Sequence, residues 1–162
     1  MGLSRRKQVL LALVAAVLGI QLVPYGRSHQ NPPVLDEPAW ASPETRALAV
    51  RACFDCHSNQ TVWPWYSHVA PISWGIQQHV EEGRSVLNVS EWNRPQREAD
   101  DAAETVAEGE MPPALYLPLH PASRLSDAER QILLDGLSAT PGLGRVGQGM
   151  GRRGGKRGHD AD

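Results

Sequence analysis

An all-α fold is predicted by three observations: apolar residues recur at helical spacing, helix-start signals stand before the strongest of those stretches, and no alternating pattern supports a strand. The 162 residues suffice for one small domain with appendages. They divide into an anchor helix over residues 1–26, an extended linker over 27–40, a helical domain over 41–140 and a disordered Gly/Arg-rich tail over 141–162.

The first element follows the basic cluster Arg5-Arg6-Lys7 and reads VLLALVAAVLGIQLV over residues 9–23, apolar except for Gln21. Such a segment is a signal peptide or a signal anchor. It is shorter than the roughly 20 residues of an average span. No small-x-small cleavage site follows in Pro24-Tyr25-Gly26-Arg27, so an uncleaved transmembrane anchor is the expectation and a cleaved signal the alternative. Basic residues ahead of the apolar run keep that end in the cytoplasm and send the remainder across the inner membrane into the periplasm. Neither cysteine lies near the N-terminus, which excludes a lipoprotein.

Pro32, Pro33 and Pro38 then suggest an extended spacer. Ser42 has the form of an N-cap, with Pro43 at the first helical position and Glu44 in the first turn, opening a helix that runs to about Cys53. Residues 69–87 carry helical spacing through Ile72, Ile76 and Val80. Residues 94–108 are acidic and Ala-rich, as in an exposed helix with thin apolar contact, and Gly109 breaks it. Ser126 with Glu129 three residues later is a capping box, and Ile132, Leu133 and Leu137 make the final helix one that packs on the first body helix.

Charge is unevenly distributed. Residues 28–140 hold 7 Arg, no Lys and 16 Asp or Glu, a formal balance of −9, whereas both ends of the chain are basic. Glu98, Asp100, Asp101, Glu104, Glu108 and Glu110 form either a solvated helix face or a docking face that steers a basic partner. The tail, rich in Gly and Arg, has too little apolar surface to fold, and the compartment argues against nucleic acid as its partner.

The chemistry concentrates at Cys53-Phe54-Asp55-Cys56-His57. These are the only two cysteines in the chain, followed at once by a histidine, in the CxxCH spacing of covalent haem attachment. Two thiols one turn apart can each form a thioether to a porphyrin vinyl group, which leaves the next residue under the iron. A thioredoxin-like dithiol would need a βαβ context, a structural zinc site four ligands, and a disulfide across so small a loop would restrict the unfolded chain little. Haem c, one per chain, accounts for all three residues, with His57 as an axial ligand.

For the sixth position Met111 is the leading candidate, on the stiff segment Glu110-Met111-Pro112-Pro113, and His120 is the alternative. The aromatics Trp63, Trp65 and Tyr66 around Pro64, together with Trp74, are candidates for the haem pocket, against the plainer reading of an ordinary aromatic core.

With these motifs in view, the body resembles a class I cytochrome c: CxxCH follows the first helix, and Met-Pro-Pro precedes a last helix reading LSDAERQILLDGL. More closely, CFDCHSNQTVWPWYSHVAPISW, EGRSVLNVSEW and GEMPPALYLPLHPASRLS resemble the membrane-anchored haem-binding domain family of bacterial envelopes. That resemblance covers about residues 41–137 and implies covalent haem on Cys53 and Cys56 with His57 on the iron. It also implies company with other c-type cytochromes and dihaem peroxidases, and it implies no defined reaction.

The expectation is therefore a small cytochrome c-like helical domain that transfers single electrons at the periplasmic face of the inner membrane, to redox partner proteins and without catalysis of its own. A haem enzyme of peroxidase type, or a redox or gas sensor with a labile sixth ligand, is the alternative. No Arg–His distal pair can be placed beside the haem from the sequence.

Overall fold

The computed structural model describes residues 4–144. Among them are six α-helices and no strand: α1 (Arg5–Ile20), α2 (Pro43–Ala52), α3 (Phe54–His57), α4 (Ile72–Val86), α5 (Ala102–Ala107) and α6 (Asp127–Ala139). One isolated parallel bridge joins Asp36 to Glu91.

The start signals act as their chemistry requires. The Ser42 hydroxyl accepts from the Thr45 N–H at 3.0 Å, and Pro43 needs no partner for an N–H it lacks. Ser126 and Glu129 form the complete capping box of α6. The two helices so started pack together through a glycine: a Cβ on Gly136 would lie 2.0 Å from Thr45 Oγ1. The core beside this contact gathers Leu48, Ala49, Phe54, Val89, Val106, Leu133 and Leu137, which leave water together and drive the fold.

Four expectations are corrected. α1 is 16 residues long, and no helix among the described residues is long and apolar enough to cross a membrane. At 1.5 Å per residue α1 reaches about 24 Å, against a hydrocarbon thickness of about 30 Å. It ends where Gln21 turns its side chain onto the backbone of Ala70.

Residues 27–40 are a strap along the body and no free spacer. Asn31 donates to Thr61 O, Asn59 to Pro33 O, Leu35 N–H to Ser90 O and Trp92 N–H to Asp36 O, all within 3.0 Å. Proline denies the segment some donors, but its carbonyls still accept.

The acidic stretch 94–108 is not one exposed helix. The N–H groups of Arg97 and Glu98 bond to Val86 O, which diverts the backbone, and only α5 and the 3₁₀ turn Ala99–Asp101 before it are helical. Ala99 and Val106 enter the core.

The domain also runs past residue 140. Leu143 is 1% exposed, and Gly142, at φ +86°, brings the chain against the Trp92 ring. The remainder of the expected disordered tail, residues 145–162, lies outside the described residues.

Candidate functional site

α2 and α3 are nearly continuous, and Cys53 stands at their junction. Cys53 N–H reaches back to Ala49 O at 2.8 Å, and His57 N–H reaches Cys53 O at 2.9 Å, so the motif is one helical turn with both thiols unpaired. Desolvation pushes the Cys53 thiol up to about 12, with Cys56 adding to it. Cys56 rises to about 11 for the same cause, helped by Asp55 and opposed by Arg84. Neither is an activated thiolate of the kind a dithiol oxidoreductase uses.

α4 crosses this turn at Gly83. A Cβ there would lie 2.4 Å from Cys56 O and 3.1 Å from the Cys56 Cβ, so only glycine permits the approach. The contact fixes His57. Its Nδ1 lies 3.2 Å from Gly83 O and 3.2 Å from Leu87 O, and because carbonyls only accept, Nδ1 carries the proton. Nε2 is left with its lone pair. Burial holds His57 below its ordinary value, with the two carbonyls and Glu98 opposing, so the ring is neutral at neutral pH.

A polar network holds the segment that follows. Val89 N–H donates to His57 O at 2.9 Å; Asn88 donates to Asn59 Oδ1, Asn59 N–H to Ser90 Oγ, and Ser90 N–H back to Asn88 Oδ1. Arg84 donates to Ser58 O, Thr61 Oγ1, Asn31 Oδ1 and Gln30 O, tying α4, the motif loop and the strap together. Ser58, Asn59, Asn88 and Ser90 are all buried, and a satisfied network of that kind rigidifies what it encloses.

Beside this turn lies a cavity of about 110 Å³ whose wall includes Cys53, His57 and Met111. The rest is largely apolar, with Trp40, Phe54, Leu87, Val106, Leu137 and Leu143; Glu98, Asp101 and Thr105 are the polar exceptions. An apolar chamber with a neutral imidazole and a thioether offers donors suited to haem iron, with the Cys53 thiol beside them. A protein-family model described as a haem-binding domain matches residues 15–139, well over half of the chain.

The chain belongs to the haem-binding domain family. No match was found among curated proteins or among solved structures.

Within this haem-binding domain the residues expected at the site are sorted by the fold. Cys53, His57 and Met111 meet at one cavity, and Cys56 occupies the same turn against Gly83. The aromatics do not line it. Trp63 donates to Asn31 Oδ1 and packs on His29, Trp65 is 79% exposed, and Tyr66 reaches His120. Trp74 lies on α4 beside Gly26. The 3₁₀ turn Trp65–His68 packs against α4 and the strap, on other surfaces than the cavity wall.

His120 is likewise engaged elsewhere. Its Nδ1 donates to Tyr116 O at 3.0 Å, its Nε2 accepts from Tyr66 OH at 3.2 Å, and its ring stacks on Tyr116 at 3.7 Å. Both nitrogens are occupied and the residue is absent from the cavity wall.

Sequence reasoning missed Trp40, Leu87 and Leu143 as wall residues and Gly83, Arg84, Asn59 and Asn88 as their supports. Two quoted motifs gave a signal without a stated reason: CFDCHSNQTVWPWYSHVAPISW, which holds Asn59, and EGRSVLNVSEW, which holds Gly83, Arg84, Leu87 and Asn88. Gly83, Arg84 and Asn88 now have one each.

Proposed function

We propose that this domain carries one haem c, joined covalently to Cys53 and Cys56, and passes single electrons at the periplasmic face of the inner membrane, to which α1 attaches it. The observation that carries the reading is the His57 ring, held in one tautomer by Gly83 O and Leu87 O while it shares a cavity with Cys53 and Met111.

The residues present fit the group. His57 offers Nε2 as a proximal ligand whose orientation is set from behind by its Nδ1 hydrogen bonds, and Met111 offers a thioether from another segment of the wall. Bound there, haem supplies a one-electron iron centre. Phe54, Leu87, Val106 and Leu137 exclude water and keep the dielectric low around it. The cavity, at about 110 Å³, is smaller than the roughly 300 Å³ and upward of pockets for drug-sized ligands, so holding haem would require the wall to part.

If His57 and Met111 both held the iron, no coordination site would be left for a substrate, which favours electron transfer over peroxidase-type catalysis or sensing. The acidic body suits redox partners with basic docking faces, as other c-type cytochromes or dihaem peroxidases would be if they carry them.

The test is expression in a host that matures c-type cytochromes. Haem staining should survive a denaturing gel and vanish in Cys53→Ala with Cys56→Ala. The ferric protein should be six-coordinate and low-spin, with a sulfur-to-iron band lost in Met111→Ala. A protein bearing no covalent porphyrin overturns the attachment, and a high-spin spectrum that shifts with peroxide overturns the transfer reading.

A further inference from the structure

The two longest stretches of the chain without Asp, Glu, Lys or Arg are residues 8–26 and residues 56–80. The fold joins them. The Gln21 side chain donates to Ala70 O at 3.0 Å and accepts from Ala70 N–H at 3.0 Å, a two-point clamp. Gly26 lies so close to Ser73 that a Cβ would be 2.5 Å from the Ser73 carbonyl oxygen. The end of α1 is thus seated on residues 69–74, and apolar side chains on both joined stretches are exposed: Leu22 at 82%, Val23, Val69, Ile72 and Trp65. Charge returns where Tyr25 donates to Glu81 at 3.0 Å.

From Val9 onward α1 is apolar on all sides, and its residues are exposed up to the half-buried Ile20, so little within the described protein covers it. Its length of about 24 Å falls short of the bilayer core. We infer that the seat around Gln21 and Ala70 is a bilayer-contact collar, with Leu22, Val23, Trp65, Val69 and Ile72 at the boundary of headgroups and acyl chains while α1 inserts. The occupant is phospholipid. This rests on the membrane attachment proposed above.

Three physical arguments support the collar. Apolar side chains on the body extend the apolar surface beyond the end of a helix that is too short to cross the bilayer by itself. The rest of the body is strongly acidic and would be repelled by anionic lipid, whereas the collar carries no carboxylate to desolvate. Trp and Tyr prefer this depth, where an apolar ring and a polar edge are both satisfied. Because the clamp replaces a loose spacer, the collar holds the haem cavity at one height and tilt above the membrane.

The experiment uses the full-length, haem-loaded chain in vesicles of phosphatidylethanolamine and phosphatidylglycerol. An environment-sensitive dye is placed on Val69→Cys, on Ile72→Cys and, as a control on α6, on Ile132→Cys, with the wild type taken through the same labelling as the blank. Flotation with the vesicles tests the underlying attachment. The collar requires quenching by lipid-borne shallow nitroxide to be several-fold stronger at positions 69 and 72 than at 132, with the reverse order for iodide in the water phase. A protein that floats but is quenched by iodide equally at all three positions overturns the collar and leaves attachment standing. A protein that does not float overturns both. Dimerisation that shields positions 69 and 72 from both quenchers replaces lipid with a second copy.

Discussion

The Tyr116 hydroxyl donates to Oδ2 of Asp55 at 2.5 Å, joining the segment that carries Met111 to the interior of the CxxCH turn. Asp55 also accepts from Val62 N–H at 2.8 Å, and Tyr116 stacks on His120, which holds Tyr66. The two sides of the cavity are therefore tied through the residue between the cysteines. Desolvation first, and then Asp55, push the Tyr116 phenol well above its ordinary value, so it remains a donor at every ordinary pH.

Removing that donor should loosen Met111. In Tyr116→Phe, the loss of a hydrogen bond to a charged acceptor costs about 1–3 kcal/mol of folding stability, read as a lowered denaturation midpoint. The haem-loaded variant should also show a weakened sulfur-to-iron band, because the loop carrying the thioether loses its tie. A variant whose stability falls while the band keeps full intensity would separate the tie from the ligand.

Two glycines of α4 should respond in opposite directions. Gly83→Ala drives a methyl into Cys56 O and costs about 1–3 kcal/mol, and it lowers haem incorporation by moving the carbonyl that holds His57. Gly75 has nothing within 4 Å of its would-be Cβ, so Gly75→Ala should be neutral or stabilising by up to about 1 kcal/mol. Thermal melts and the ratio of haem absorbance to protein check both. Equal effects at the two positions would refute the close approach.

Leu143 marks how far the domain reaches. Buried at the cavity wall, it should cost about 2–5 kcal/mol when cut back to alanine, as a core leucine does. Denaturant titration decides, and a change under about 0.5 kcal/mol would return residue 143 to the class of surface positions.

Why some of this was legible and some was not follows from range. Ser42, Pro43, Ser126 and Glu129 act within one helical turn, so their roles could be read directly, as could the CxxCH turn. The cavity wall draws Trp40, Leu87 and Leu143 from three distant segments, and no local pattern distinguishes them from other apolar residues. The WPWYS aromatics misled for the complementary reason: a dense aromatic cluster signals a need for apolar cover but not which surface supplies it. Here the strap takes Trp63 and Tyr66 takes His120, while Trp65 stays exposed. The strap itself, hidden behind its prolines, depends on carbonyls, which every residue has and no sequence pattern advertises.

Stability in acid should depend on Glu129. Its carboxylate is held down to about 2, first by the Ser126 N–H, then by Arg51 at 2.7 Å and by the Ser126 hydroxyl. A carboxylate lowered in the folded state stabilises the fold above its unfolded value of about 4.5, and that contribution is lost as pH falls toward 2. The group is exposed, so salt screens part of the effect. Melting temperatures of the wild type and Glu129→Gln should therefore differ at pH 6, with the wild type higher, and converge as pH is lowered through 4 toward 2. Because Ser126→Ala removes the hydroxyl partner and leaves the charge and Arg51 in place, it should narrow the gap without closing it. A wild-type advantage that persists unchanged at the acid end would mean that the capping box holds α6 through geometry alone, with the carboxylate charge playing no part.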